Sequence, residues 1–330
     1  MRAIVLTRPG GPEVLAVQEL PMPVADAGHV VIKVRGFGLN RAETYMRRGL
    51  WPTAARVLGI ECVGEVHEDG SGRLARGRRV AAIMGGMGRT IDGSYAEYVR
   101  APATNVVPLD GALGWAALAA IPESYATAWM CLHRILGIAA GQTLLVRGGT
   151  SALGQAAIQL GRLAGARVLA TSRDPGKLAR LEAIGAMPLL DGDSLVADVR
   201  RGAPDGLDAA LELVGNSKVV ETISLVHRGG GVCLAGFLGG IAPIAAFDPI
   251  VHLPSGVSLH FFASFVLGRI DFPLSEIPLQ DIVARVAAGE IAAAPARVLG
   301  FDEVAEGHRL MEASQANGKL VVEVPTSSAS

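Results

Sequence analysis

The chain has 330 residues, half of them hydrophobic, and a formal net charge of -1. That length suits one large domain or two ordinary ones with enough apolar material for buried cores, and the balanced charge gives no reason to expect nucleic acid or an anionic membrane as the main partner. The three cysteines, Cys62, Cys131 and Cys233, lie far apart. No pair has metal-ligand spacing and the odd count argues against a disulfide framework, so all three are expected as small core residues.

In chain order, Met1 to Leu6 reads as a short strand running into Pro9-Gly10-Gly11. It is too short for a signal-peptide core and has no cleavage pattern, so a cytoplasmic protein is expected. Val30 to Val34 and Arg79 to Ile83 are β-branched runs, punctuated by glycine clusters at 70–72 and 85–88. Closely spaced strands with glycine turns predict an antiparallel, barrel-like unit. The pattern changes near Pro122. Thr143-Leu144-Leu145-Val146 is an apolar strand. Residues 152 to 164 then form a helix whose wet stripe is Gln155, Gln159 and Arg162. Arg167 to Thr171 is a second strand, followed by a helix with Asp174 as N-cap, Pro175 at its first position, an inner face of Leu178, Leu181 and Ile184, and Gly185 to end it. Ala209 to Val214 and Val232 to Ala235 continue the alternation, which implies a parallel sheet with right-handed crossovers. The uncharged stretch from Gly229 to Phe247 holds six glycines and Pro243, so strand and turn are expected there rather than a membrane span. Residues 279 to 289 read as a helix and Lys319 to Val324 as a strand, with a frayed end from Thr326 to Ser330.

The sharpest motif is Gly148-Gly149-Thr150-Ser151-Ala152-Leu153-Gly154, between a predicted strand and a predicted helix. Set against G-x-G-x-x-G, Ser151 takes the middle position, small enough to let backbone N–H groups approach a pyrophosphate, and Gly154 lets helix and strand pack closely. The helix N-terminus offers unpaired donors to an anion. The alternative is an ordinary βα turn. At the end of the next strand stands Thr171-Ser172-Arg173, with Lys177 in the following first turn, where an NAD site would carry an acid for the ribose 2′-hydroxyl. A phosphate between Arg173 and Lys177 accounts for cations placed against a helix dipole, so NADP(H) is expected. The alternative is a solvated basic turn.

The four tyrosines, Tyr45, Tyr95, Tyr98 and Tyr125, all precede the glycine turn, which removes the Tyr-x-x-x-Lys pair of short-chain dehydrogenases. Several ordered blocks instead resemble the medium-chain dehydrogenase/reductase superfamily. Gly59-Ile60-Glu61-Cys62-Val63-Gly64 is similar to its Gly-His-Glu-x-x-Gly block. Gly93 to Val99 is similar to its Gly-Ser-Tyr-Ala-Glu-Tyr block, Thr127-Ala128-Trp129 to the opening of its linking helix, and Asp208 to Gly215 to its strand ending in Val-Gly. The resemblance implies a Rossmann doubly wound parallel sheet over 122–264. It adds a GroES-like, partly open β-barrel catalytic domain built from 1–121 and 265–330. Where zinc alcohol dehydrogenases place metal ligands, this chain has Asn40 and Ile60, and no four-cysteine lobe precedes Gly93. No set of about four ligands is available, so no zinc is expected.

Asn40 in Gly38-Leu39-Asn40-Arg41, with Tyr45 following, resembles the quinone oxidoreductase branch, in which these two residues face the nicotinamide. On the residues alone, Asn40 also reads as a turn residue and Tyr45 as a half-buried domain tyrosine. Gly192 stands where the branch often has a tyrosine near the adenosine phosphate. The resemblance further implies cofactor contacts from Thr127, Val214, Gly236, Phe237, Phe261, Phe262 and Lys319, although on the residues alone the last two phenylalanines are core and Lys319 is a surface lysine. It also implies a homodimer through the strand Val257 to Phe262; on charge and composition no nucleic-acid or membrane partner is expected. Without a metal to acidify an alcohol, the expected chemistry is hydride delivery from NADPH to a quinone or an α,β-unsaturated carbonyl, with Asn40 and Tyr45 as the catalytic candidates. An enoyl-thioester or 2-enal reductase, and a noncatalytic NADPH-binding protein, stay open as alternatives.

Overall fold

Residues 1–325 are described by a computed structural model. The expected frayed end, Thr326 to Ser330, lies outside the described residues. The β-branched runs of the first third become β1 (Arg2–Leu6), β2 (Leu15–Glu19), β3 (His29–Gly38), β4 (Glu61–Asp69), β5 (Arg79–Ile83), β6 (Tyr98–Pro102) and β7 (Val106–Pro108). Val30, Val31 and Ile32 are all fully buried; a strand covered on both faces shows a continuous apolar run rather than alternation. β3 pairs antiparallel with β4, from Val30 opposite Asp69 to Gly36 opposite Val63.

From Thr143 onward the alternation of strand and helix builds a second sheet. Its strands are β8 (Thr143–Arg147), β9 (Arg167–Ser172), β10 (Met187–Leu190), β11 (Leu207–Glu212), β12 (Val226–Leu234) and β13 (Ser258–Phe261). Their order is β10-β9-β8-β11-β12-β13, and every neighbouring pair is parallel. The order reverses between β8 and β11, so the crevice that binds ligands in such sheets lies at the carboxyl ends of these two strands. Leu145, Leu169, Ala210 and Val232 fill the core at the sheet centre, and each leucine so buried stabilises by about 1.5–3 kcal/mol.

The helix Ala152–Leu163 follows β8 as expected, but its wet stripe is narrower than the sequence suggests. Gln159 is buried, its amide reaching the Gln155 carbonyl at 3.4 Å, and Leu163 is exposed instead. After β9, Asp174 Oδ1 accepts from the Gly176 N–H at 2.9 Å, a 3₁₀ turn spans Pro175–Lys177, and the helix Leu178–Ala183 ends at Gly185 with φ +83°. Of its expected inner face only Leu181 is fully buried.

The chain then returns with β14 (Arg297–Gly300) and β15 (Leu320–Glu323). β15 pairs antiparallel with β3, Val321 opposite Gly38, completing the sheet order β14-β15-β3-β4-β5-β7 with β6 against β3. Two units result, Met1–Ala126 with the segment from Ser264 onward, and Thr127–Ala263. The first break falls inside the continuous helix Pro122–Trp129 rather than at its first residue. Cys62, Cys131 and Cys233 are buried free thiols. No helix among the described residues is long and apolar enough to cross a membrane.

Candidate functional site

In the first unit the β3–β15 pairing brings together residues 279 positions apart in the chain. The Leu39 N–H donates to the Leu320 carbonyl at 2.9 Å, which sets Lys319 beside Asn40. Lys319 is not a surface lysine. It is 6% exposed, and its Nζ donates to Asn40 Oδ1 at 2.7 Å and Glu61 Oε1 at 2.5 Å. The Asn40 Nδ2 donates to the same Glu61 oxygen at 2.9 Å, and the Glu123 N–H satisfies Glu61 Oε2 at 2.8 Å. The lysine stem crosses Gly38, where a Cβ would stand 2.2 Å from Lys319 Cε and 2.5 Å from Glu61 Oε1; only glycine leaves this passage open. Asn40 is therefore neither a free turn residue nor a free amide. It orients a buried ammonium–carboxylate pair. Tyr45 is 5% exposed, with the Arg41 guanidinium 5.8 Å from its ring centre. Ile60 is buried as an aliphatic side chain. Among the described residues, no group of three or more His, Cys, Asp or Glu side chains is placed to hold a metal.

Directly behind this cluster runs a second buried chain that the sequence does not announce. The Glu43 carboxylate accepts from the Asn40 N–H at 2.7 Å, the Ile60 N–H at 3.1 Å and the Tyr95 hydroxyl at 2.6 Å. His308 Nε2 lies 3.0 Å from the Tyr95 hydroxyl and its Nδ1 3.2 Å from Arg47 Nη1. Arginine can only donate, so Nδ1 is the acceptor and Nε2–H donates to Tyr95. Burial, then the Arg47 charge, push His308 down to about 3, whereas burial lifts Glu43 to about 7 against its donors.

These shifts act on stability with opposite signs. His308 folds neutral, so its contribution is complete above its ordinary 6.5 and is lost as pH falls toward 3. Glu43 keeps its proton when folded, so its contribution is complete below its ordinary 4.5 and is lost as pH rises through 7. The two offset between pH 4.5 and 6.5, and below 4.5 the histidine acts alone. We predict that His308→Gln, which keeps an acceptor for Arg47 and a donor for Tyr95, flattens the acid loss of stability by up to about 1.4 kcal/mol per pH unit below pH ~4.5. Urea unfolding at several acid pH values checks this; parallel losses in wild type and variant would contradict it.

In the second unit the glycine turn joins β8 to the helix Ala152–Leu163. Gly148 has φ +88°, its N–H donates to Thr171 Oγ1 at 3.0 Å, and Ser151 caps the helix by accepting from the Gly154 N–H at 3.0 Å. A Cβ on Gly149 would stand 2.9 Å from that of Ala170, and one on Gly154 would stand 2.5 Å from the Gly148 carbonyl, so both glycines serve close strand–helix packing. The first i→i−4 bond runs from Gln155 N to Ser151 O. The N–H groups of Ala152 and Leu153 precede it and are free for an anion. This cradle fits a nucleotide pyrophosphate, and Thr150 lies within it.

At the end of β9, Ser172 Oγ accepts from the Asp174 N–H at 3.1 Å and closes the loop. Arg173 is exposed, and Lys177 Nζ lies 3.8 Å from Asp174 Oδ2. At the end of β11, Val214 and Gly215 N–H donate to Glu212 Oε1 at 2.6 and 2.9 Å. The Gly236 N–H reaches the Glu212 carbonyl at 3.3 Å. Thr127 and Phe262 are buried. Phe261 is not core. It ends the edge strand β13 with 61% exposure, its ring centre 6.2 Å from that of Phe237. Gly192 has nothing near its missing side chain.

Residues 26–111 match the alcohol dehydrogenase GroES-like domain and residues 152–273 the zinc-binding dehydrogenase domain. The chain is 31% identical over 274 residues to the quinone oxidoreductase of Rattus norvegicus, covering 80% of this chain and 81% of that one. Among solved structures, an NAD-dependent alcohol dehydrogenase superposes with a TM-score of 0.84 at 28% identity, covering 98% of this chain and 100% of that one. A mycobacterial protein solved with NADPH superposes with a TM-score of 0.87 at 25% identity, covering 98% and 99%.

Proposed function

Because this chain belongs to the quinone oxidoreductases of the medium-chain dehydrogenase/reductase superfamily, we propose that it is an NADPH-dependent reductase of quinones or activated enones that works without zinc. The observation that carries this reading is the buried Lys319–Glu61–Asn40 cluster, an ammonium held against Asn40, the residue that stands at a zinc-ligand position of the resembled zinc enzymes. An ammonium has three donors. Two are engaged by Asn40 and Glu61, and the third is the group we assign to the acceptor oxygen, where it stabilises the negative charge that develops on hydride arrival. The reduced nicotinamide supplies the hydride. Asn40 orients the ammonium, Glu61 pairs with it, and Tyr45 borders the acceptor. The acceptor gains hydride and one solvent proton. Because an alcohol must instead lose a proton, and the ammonium cannot take one, alcohol oxidation is disfavoured.

For the nucleotide, we assign the pyrophosphate to residues 149–154 and the 2′-phosphate to Ser172, Arg173 and Lys177. Thr127, Val214, Gly236, Phe237, Phe261 and Phe262 complete that side, and Lys319 meets the nicotinamide end. We further assign the open edge of β13 to a homodimer, since an exposed edge strand needs cover and an isologous pair supplies it.

The test follows reduced-nicotinamide absorbance with quinones, enones, enoyl thioesters and simple alcohols, with and without a chelator. We expect turnover with quinones or enones, little alcohol oxidation and no chelator effect. Preference for enoyl thioesters would make this an enoyl reductase, and tight NADPH binding with no turnover of any acceptor a noncatalytic binder. Robust alcohol oxidation abolished by chelation would overturn the zinc-free reading.

A further inference from the structure

The last residue of β8 is a fully buried arginine, Arg147. Arg147 Nε and Nη2 form a fork on Asp191, at 2.9 Å to Oδ2 and 2.6 Å to Oδ1. Nη2 also reaches Glu221 Oε1 at 2.5 Å, and Nη1 reaches Thr222 Oγ1 at 3.1 Å. Two of these partners hand the restraint on. Asp191 Oδ2 accepts from Thr171 Oγ1 at 3.1 Å, and the oxygen of that hydroxyl accepts the Gly148 N–H at 3.0 Å. Thr222 Oγ1 donates to Glu212 Oε2 at 2.6 Å, and Glu212 Oε1 holds the N–H groups of Val214 and Gly215. One guanidinium is thus connected to the glycine turn after β8 and to the turn after β11, the two strands at which the sheet order reverses. Gly148 and Gly215 both adopt positive φ, +88° and +106°.

We propose that Arg147 is a positioning residue for nucleotide capture, a buried strut that holds both turns in the conformation the cofactor meets. The proposal rests on the nucleotide reading above. A buried ion pair adds little net stability over an apolar filling of the same volume, but the planar fork of arginine imposes geometry that a methionine or lysine does not. The strut also sets local charge. Arg147 lies among Asp191, Glu212 and Glu221, with Lys218 Nζ 3.9 Å from Glu221. Burial pushes the Asp191 carboxyl up, but the Arg147 hydrogen bonds and charge outweigh it and hold the group below the ordinary carboxylate range. Without the guanidinium, the anionic excess would stand beneath a turn that receives phosphates.

The test measures dissociation constants for NADPH and NADH on folded Arg147→Met, Thr171→Val and Thr171→Ser, with circular dichroism at the binding temperature to establish folding. Both turns serve the part common to the two nucleotides, so each loss should affect both alike. Arg147→Met should weaken both by at least about tenfold, the loss of one charge-assisted bond or more. Thr171→Val removes the hydroxyl that joins Asp191 to Gly148, with no change in charge, and should weaken both by about threefold or more. Thr171→Ser, which keeps the hydroxyl, should restore wild-type binding. In turnover, Arg147→Met should raise KM for NADPH while kcat at saturating cofactor stays within about threefold. If Arg147→Met does not fold, the threonine pair decides alone. Wild-type affinity in folded Thr171→Val or Arg147→Met overturns the strut and leaves the nucleotide reading intact. A wild-type protein that binds neither nucleotide overturns both.

Discussion

Lys319→Met lowers kcat for quinone reduction by about 100-fold or more, far more than it raises the dissociation constant for NADPH, if the ammonium stabilises the charge that develops on the acceptor. The single variant leaves Glu61 buried with no cation, and breaking such a pair costs stability by about 3–5 kcal/mol. Its activity loss alone would therefore say little. The double variant Lys319→Met with Glu61→Gln removes the charge on both sides and keeps an acceptor for one of the two N–H donors to residue 61, that of Asn40 or that of Glu123, so it should regain part of the thermal stability and none of the turnover. Asn40→Ala, which frees one end of the ammonium, should fall between wild type and Lys319→Met, about tenfold down. Steady-state kinetics with each folded variant check the ordering. A double variant that reduces quinone at the wild-type rate would show that nicotinamide placement and pocket shape work alone. A raised NADPH dissociation constant with unchanged kcat would make Lys319 a cofactor ligand only.

The features that were legible share one property: their cause is local. β-Branched runs at Val30–Val34 and Arg79–Ile83 specified strands because sterics within the run favour extended backbone. The glycine turn was readable because positive φ at Gly148 and close packing at Gly154 exclude other residues. Asp174 and Gly185 punctuate their helix by bonds and backbone angles within a few residues. The features that escaped depend on register between distant segments. Lys319 is one residue outside β15, and nothing near it in sequence distinguishes it from a surface lysine. Its burial follows from β15 pairing with β3, Val321 opposite Gly38. The Glu43–Tyr95–His308 chain draws one residue each from a helix, a loop and a second helix far downstream, and each residue alone reads as ordinary. Phe261 and Phe262 show the same limit at short range. Two adjacent phenylalanines look equally apolar, yet at the end of an edge strand successive side chains point to opposite faces, so Phe262 is buried and Phe261 is exposed. Glu61 was visible only as a letter in a block, and its partners Lys319 and Glu123 lie 258 and 62 positions away.

Arg173→Ala combined with Lys177→Ala should remove the preference for NADPH. The loop after β9 presents both side chains where an adenosine ribose meets a sheet of this order. Arg173 is exposed with no ion pair among the described residues, and Lys177 Nζ lies 3.8 Å from Asp174 Oδ2. Two charge-assisted contacts to a 2′-phosphate are worth about 2–4 kcal/mol, or about 30- to 700-fold in affinity. The carboxylate of Asp174 is the opposing element. Half-exposed, it accepts the Gly176 N–H at 2.9 Å, and it would face the same phosphate once the cations are gone. The double variant should therefore lose NADPH affinity by at least that factor and keep NADH affinity within about threefold. The NADPH preference of the wild type should also weaken as ionic strength rises, because the contacts are exposed and screened over about 8–10 Å at physiological salt. Fluorescence titration with both nucleotides at two salt concentrations measures each part. Equal binding of NADPH and NADH by the wild type would make the basic turn a solvated surface feature and return the choice of cofactor to the groups around the nicotinamide.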